Sequence, residues 1–287
     1  MEKVISGKQF DEERALYGLK DTRVTSCRFD GPADGESAFK ECSDIVVEEC
    51  YFNLRYPFWH DTSAVLKKVR MTENCRAALW YDKNIAIEES ELHGIKALRE
   101  CTGINVKDSS IVSAEVFWRC SDIRVDNCQL QSEYPFFESR NVEINNLKMI
   151  GKYSFQYVEN MTIAGSELDT KDAFWHSKNV TVIDSVVKGE YLGWYSENLK
   201  FVRCHIIGTQ PLCYCKGLIL EDCTMEATDL SFERSEVNAT VSGRIEGVKN
   251  PLKGFIKADE IGELLIEEQY VDKAATEIMC SEIQCIR

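Results

Sequence analysis

Asp61 and Asp82 close two clusters of the same kind, Trp59-His60-Asp61 and Trp80-Tyr81-Asp82. One unit further on, Arg99-Glu100 adds a third carboxylate. Carboxyl groups held roughly 5 to 10 Å apart are what acid–base cleavage of a glycosidic bond uses. His60 adds a group that carries protons near neutral pH. Indole and phenol rings supply the apolar surface on which the C–H face of a sugar stacks. Asp61, Asp82, Glu100 and His60 are therefore the candidate catalytic residues. Trp59, Trp80, Tyr81, Arg99, Trp118, Arg119 and Glu138 are the candidate substrate-binding residues. The plainer reading of the two aspartates is that they cap turns, a common use of Asp.

What would position these residues is a repeat. From Ile85 to Val237 an apolar residue recurs every 19 positions: Ile85, Ile104, Ile123, Val142, Met161, Val180, Leu199, Leu218 and Val237. Further apolar positions follow at two and seven places, with a small or modest residue at five, as in Ile104, Val106, Ser109 and Ile111. Steps of two are the strand period, and the step of three marks a bend between two short strands. Before the first positions from Ile85 to Leu218 stands Asp, Asn or Gly, the types that tolerate a left-handed backbone. A third strand precedes that turn. A fixed period of about 20 residues means stacked units that share one core. The expected fold is all-β, a right-handed single-stranded parallel β-helix with three short strands per rung and about 12 rungs of about 19 residues, the hand following from the crossover rule.

The rungs before Ile85 fit once two insertions are allowed, one at Pro32-Ala33-Asp34-Gly35 and one near Thr72 to Arg76. Both leave the chain at the edge of the third strand, where loops can overhang that side. The expected organisation is a single domain over residues 1–287, with an N-terminal cap over 1–20, rungs over 21–250, and a last rung and cap over 251–287.

Stacking turns each rung position into a column. One third-strand column runs Lys40, Trp59, Trp80, Arg99, Trp118, Phe137, Gln156, Trp175, Trp194, Cys213 and Phe232, and holds all five tryptophans. Its neighbour runs Gly18, Glu41, His60, Tyr81, Glu100, Arg119, Glu138, Tyr157, His176, Tyr195, Tyr214 and Glu233. Charge and hydroxyl at every rung place this second column toward solvent. Cys42, Cys101, Cys120 and Cys215 share an inward column, as do Cys27, Cys50, Cys128, Cys204 and Cys223.

A net charge of −14 argues against a nucleic-acid partner. No apolar run is long enough to span a membrane. Thirteen cysteines, read as small buried hydrophobes, and an opening Met1-Glu2-Lys3-Val4-Ile5-Ser6 without the apolar core of a signal peptide point to reduced thiols and a cytoplasmic location. No cofactor is expected. No metal is either: the acids of Asp30-Gly31-Pro32-Ala33-Asp34-Gly35-Glu36 lack calcium-loop spacing, and Cys213-Tyr214-Cys215 has no second CxxC beside it.

The segments Gly7 to Tyr17 and Phe29 to Ala38, with the Phe-Trp-x-Ser/Cys repeats, resemble an uncharacterised bacterial family, a domain of unknown function with a pectate-lyase-like right-handed parallel β-helix. The resemblance covers nearly the whole chain and implies the fold, but no reaction and no catalytic residues. Two functions are expected from the residues themselves. One is binding or modifying a carbohydrate on the aromatic and acidic face, as a hydrolase, lyase or epimerase if an enzyme. The other is a non-enzymatic scaffold whose aromatic face, or whose C-terminal cap, meets a second copy or another protein. Carboxylates kept beside the indoles favour a ligand cleft, whereas a charge-poor centre favours an interface.

Overall fold

The strict repeat demands parallel strands in register. In the computed structural model, which describes residues 3–287, those residues form 31 strands and no helix. The chain divides into two compact units, Met1–Lys148 and Met149–Arg287, each wound as a parallel β-solenoid.

In the first unit, Ile45 pairs with Ala64, Ala64 with Ile85, Ile85 with Ile104 and Ile104 with Ile123, so the apolar columns of the sequence are the columns of the sheet. A separate six-stranded sheet forms the third side, from Phe39–Lys40, Phe58–Trp59, Leu79–Trp80, Ala97–Arg99, Glu115–Trp118 and Tyr134–Pro135. The turn before each first strand is left-handed, with φ of 53° at Asp44, 56° at Asn84, 73° at Gly103 and 57° at Asp122. That is the conformation for which Asn, Asp and Gly are suited. Inside, phenylalanines stack on their counterparts, Phe29 on Phe52 at 4.5 Å and Phe39 on Phe58 at 4.9 Å.

The second unit keeps two strands per rung. Met161 pairs with Val180 and Val180 with Leu199. Its third side is made of turns rather than the expected strands. Left-handed residues stand there at every other place, as in Asp172, Phe174 and His176, with φ of 50°, 63° and 55°. Rungs remain bonded there, His176 N to Trp194 O at 3.0 Å and Phe174 N to Ser154 O at 2.9 Å. Phe232, expected in the outward tryptophan column, is fully buried instead. The step from Leu212 to Phe232 is longer than the regular period, which returns Phe232 to the inward position.

The turns number about 15 rather than 12. One added rung is Lys3–Ser6 with Gln9–Phe10, where a cap was expected; it pairs with Lys20–Thr25 and Arg28–Phe29. Lys3 stands there where the pattern asks for an apolar residue, so the repeat was hidden. At the other end the single last rung expected over 251–287 is two, Lys253–Leu265 and Thr276–Ile286, which pair in parallel, Ile256 with Ile278. The spacing departs from the regular period in both directions, shorter from Ala239 to Ile256 and longer from Ile256 to Ile278.

Several serine hydroxyls inside the winding bond the backbone from rung to rung. Val69 N donates to Ser90 Oγ at 3.1 Å and Ser90 N to Ser109 Oγ at 3.0 Å, while Ser90 Oγ donates to Glu88 O at 2.6 Å. At the other corner Cys120 N donates to Ser139 Oγ at 3.0 Å, and that hydroxyl donates to Phe117 O. All thirteen cysteines are free thiols, eleven of them buried. Ser139→Ala leaves a buried donor and a buried acceptor unmatched and is expected to lower stability by about 1–3 kcal/mol. Ser139→Cys, which keeps both roles, is expected to lose clearly less; urea midpoints of the two variants measure the difference.

Candidate functional site

On the third side of the first unit the strand alternation sends Phe58, Leu79 and Phe117 inward and Trp59, Trp80, Arg99 and Trp118 outward. Register places the outward residues in file: Lys40 opposite Trp59, Trp59 opposite Trp80, Trp80 opposite Arg99 and Arg99 opposite Trp118. Trp59 stacks on Trp80 with centroids 5.0 Å apart. The Arg99 guanidinium lies between two indoles, 5.6 Å from Trp80 and 5.3 Å from Trp118, and Trp118 meets Phe137 at 4.4 Å. Rung spacing of about 4.8 Å is close to stacking distance, so each ring face is taken by the rung next to it. What these half-buried rings offer outward is mainly their edges.

The neighbouring column is left-handed at every rung, with φ of 58° at His60, 60° at Tyr81, 53° at Glu100, 54° at Arg119 and 53° at Glu138. Such residues carry strain of roughly 1–2 kcal/mol each. The same conformation recurs at the other corners of the winding, so it does not single out this column. His60 stacks on Tyr81 at 5.0 Å, and Arg119 Nε donates to Glu138 Oε2 at 2.6 Å. Glu100 lies 3.6 Å from Arg99 Nε, while Arg99 Nη1 donates to Glu115 Oε2 at 3.0 Å. Glu100 is thus an ion-pair partner on the wall.

Asp61 and Asp82 are not on that wall. The left-handed residue before each, His60 or Tyr81, turns the next side chain into the core, where both aspartates are 0% exposed. Asp61 Oδ1 accepts from Cys42 N at 2.6 Å and Asp82 Oδ1 from Asp61 N at 2.8 Å, so they cap backbone amides of the preceding rung. Burial pushes Asp61 up to about 7, against the hydrogen bonds from Cys42 and the Trp59 backbone that pull it down, with Glu41 adding to the rise. Burial also holds Asp82 well above the ordinary carboxyl range, with Cys101 and Asp61 adding to the effect. The structure therefore brings together His60, Tyr81, Trp59, Trp80, Arg99, Glu100, Trp118, Arg119 and Glu138 on one surface, and separates the two aspartates from them.

The acids around the first insertion are held by basic and amide side chains. Asp30 is held by Arg28 Nη2 at 2.7 Å and Asn53 Nδ2 at 2.9 Å, and Asp34 and Glu36 lie 3.4 and 3.7 Å from Arg55. Asn53 Oδ1 in turn accepts from Asn74 Nδ2 at 3.0 Å, tying the two insertions together. No group of three or more His, Cys, Asp or Glu side chains able to hold a metal ion occurs among the described residues.

The second unit holds the more regular surface, on the same column of the repeat. Tyr157, His176, Tyr195 and Tyr214 stack at 5.0, 5.1 and 4.9 Å with interplanar angles of 8°, 8° and 13°. Tyr157 and Tyr195 are each 46% exposed. Beside them Trp175 and Trp194 stack at 5.5 Å, their indole N–H groups donating to Tyr191 O at 2.6 Å and Gln210 O at 2.9 Å. The signal was present in the sequence as one aromatic or imidazole residue per repeat, with no carboxylate in the run.

Winding and surface together define a parallel β-solenoid with an aromatic third side. More particularly, residues 3–279 match the family described as "Protein of unknown function (DUF3737)", and the chain belongs to that family. No curated protein matches the sequence. Among solved structures, the chain is similar to PfbA, a surface adhesin of Streptococcus pneumoniae, at 9% identity and a TM-score of 0.48, covering 90% of this chain and 83% of that one. It is also similar to the A-module of the Azotobacter vinelandii mannuronan C-5 epimerase AlgE4, at 8% identity and a TM-score of 0.34, covering 99% and 88%. Tailspike protein 3 of bacteriophage CBA120 follows at 11% identity and a TM-score of 0.26, covering 99% of this chain and 52% of that one. Similarities this distant say nothing of what the chain binds.

Replacing Arg99 by Leu removes the cation between Trp80 and Trp118 and leaves Glu115 without its hydrogen-bonded partner. The expected loss is about 1–3 kcal/mol in urea unfolding, with a change in tryptophan emission, since each cation–π contact contributes about 0.5–2 kcal/mol. An unchanged midpoint would mean that the guanidinium adds nothing to the wall.

Proposed function

We propose that this chain is a non-enzymatic interaction scaffold whose docking surface is its aromatic third side, the stripe of the second unit above all. One observation carries the reading: Tyr157, His176, Tyr195 and Tyr214 are stacked face on face, so the exposed surface is a row of ring edges and phenol hydroxyls without a carboxylate among them. A sugar platform presents ring faces, and acid–base hydrolysis needs carboxyls that reach solvent. A protein interface has a charge-poor centre enriched in Tyr and Trp. Trp175 and Trp194 extend the stripe sideways with their polar N–H groups already matched.

The occupant that fits is a second copy of the chain. A hydroxyl both donates and accepts, so a row of tyrosines can bond its own equivalent across a two-fold axis, the usual symmetry of homodimers. Sedimentation equilibrium tests this. The expected result is a dimer whose dissociation constant rises at least about tenfold in Tyr195→Asp, a change of about 1.4 kcal/mol, with an unaltered circular-dichroism spectrum. A monomer at every concentration, or a dimer indifferent to that substitution, would remove the reading.

Carbohydrate binding is the second reading, and a different surface favours it. A polar groove of ≈ 520 Å³ in the first unit is lined by Glu91, Asp108, Ser110, Asn127, Gln129 and Lys148, among others. Asn146 Nδ2 donates to Asn127 Oδ1 at 2.8 Å along its floor. Amide, hydroxyl and carboxylate groups in a row suit a hydroxyl-rich chain laid along the rungs. Binding of an oligosaccharide by calorimetry that is lost in Asn127→Ala would move the functional surface here.

A further inference from the structure

The inner corner of the first unit's third side carries side chains that each serve two partners. Cys101 Sγ donates to Leu79 O at 3.5 Å, Cys120 Sγ to Leu98 O at 3.1 Å, and Ser139 Oγ to Phe117 O. From the rung before, Cys101 N donates to Cys120 Sγ at 3.4 Å and Cys120 N to Ser139 Oγ at 3.0 Å. Cys120 and Ser139 thus each accept an amide and donate to a carbonyl.

Asp61 and Asp82 occupy the same column. The Oδ1 atom of each accepts an amide as its neighbours do, but the Oδ2 atom of each is buried without a hydrogen-bond partner. An ionised carboxylate can only accept, whereas a protonated carboxyl accepts through one oxygen and donates through the other. The groups that bear on Asp61 are Glu41 and Cys42, and those on Asp82 are Cys101 and Asp61. Each of them is anionic when ionised, so no cation offsets a buried negative charge, and burial outweighs the hydrogen bonds that favour the carboxylate.

We propose that Asp61 and Asp82 are held as neutral carboxylic acids standing in for the serine and cysteine of this column, and that their two protons form a pH-sensitive lock beneath the Trp59 and Trp80 wall. The titration agrees in direction, since burial raises both groups. A carboxyl raised in the folded state binds its proton more tightly there than in the unfolded chain. Its contribution is therefore complete at acid pH and is lost as pH rises, for Asp61 through about 7 and for Asp82 over a range that starts at the same ordinary carboxyl value. This runs opposite to the usual ion-paired aspartate, which is lost on acidification.

Two measurements on the full chain decide it. Infrared spectra of protein carrying isotope-labelled aspartate are expected to show a protonated-carboxyl carbonyl band near pH 6 that disappears in the double variant Asp61→Asn/Asp82→Asn. Between about pH 5 and about pH 6.5 the folding equilibrium constant of the unaltered chain is expected to fall with pH more steeply than that of Asp61→Asn or Asp82→Asn, by up to about tenfold per pH unit for each carboxyl. Equal pH slopes in parent and variants would overturn the proposal. So would the absence of a protonated-aspartate band in the parent chain, which stands as a test even if the variants fail to fold.

Discussion

Nearly every residue of a rung has a counterpart one rung away, at a spacing of about 4.8 Å set by the hydrogen bonds between parallel strands. That distance decides what each side chain can do. A flat ring meets its counterpart at stacking distance, a hydroxyl or thiol reaches the amide of the rung before, and an acid lies next to whatever stands in its column. Trp59 on Trp80 and Tyr157 on His176 are the first case, and Ser90 under Val69 is the second. Arg119 bonded to Glu138 one rung on shows how a charge is neutralised by a neighbour of the winding.

The same constraint separates the chemistry that the residue types suggest from the chemistry that the geometry permits. Acids and aromatic rings adjacent in sequence look like a sugar site. Stacking uses the ring faces, and the left-handed turn at His60 and Tyr81 rotates the following aspartates into the core. What is left outside is a surface of ring edges, flanked by ion pairs in the first unit and by phenols in the second.

The columns could be read from sequence because the repeat is strict. Ile85, Ile104 and Ile123 fall in register where they were expected, as do Trp59 and Trp80. Rungs at the ends escaped notice where inward positions carry Lys3 or where spacing stretches to Ile278. The missing third strands of the second unit could not be seen, since a run such as Phe174-Trp175-His176 has the same residue types as Phe58-Trp59-His60. Only the backbone angles distinguish them. The inward aim of Asp61 and Asp82 was legible: they share a column with Cys42, Cys101 and Cys120, and spacing alone assigned those cysteines to the core.

The central claim is that the winding turns Asp61 and Asp82 into the core, away from the aromatic wall. Carbodiimide labelling of the folded chain, read residue by residue in a mass spectrometer, tests it most directly. Modification is predicted at Glu41 and Glu138 and not at Asp61 or Asp82 until the chain is unfolded. Labelling of either aspartate in the native protein, at a rate near that of the two glutamates, would contradict the account.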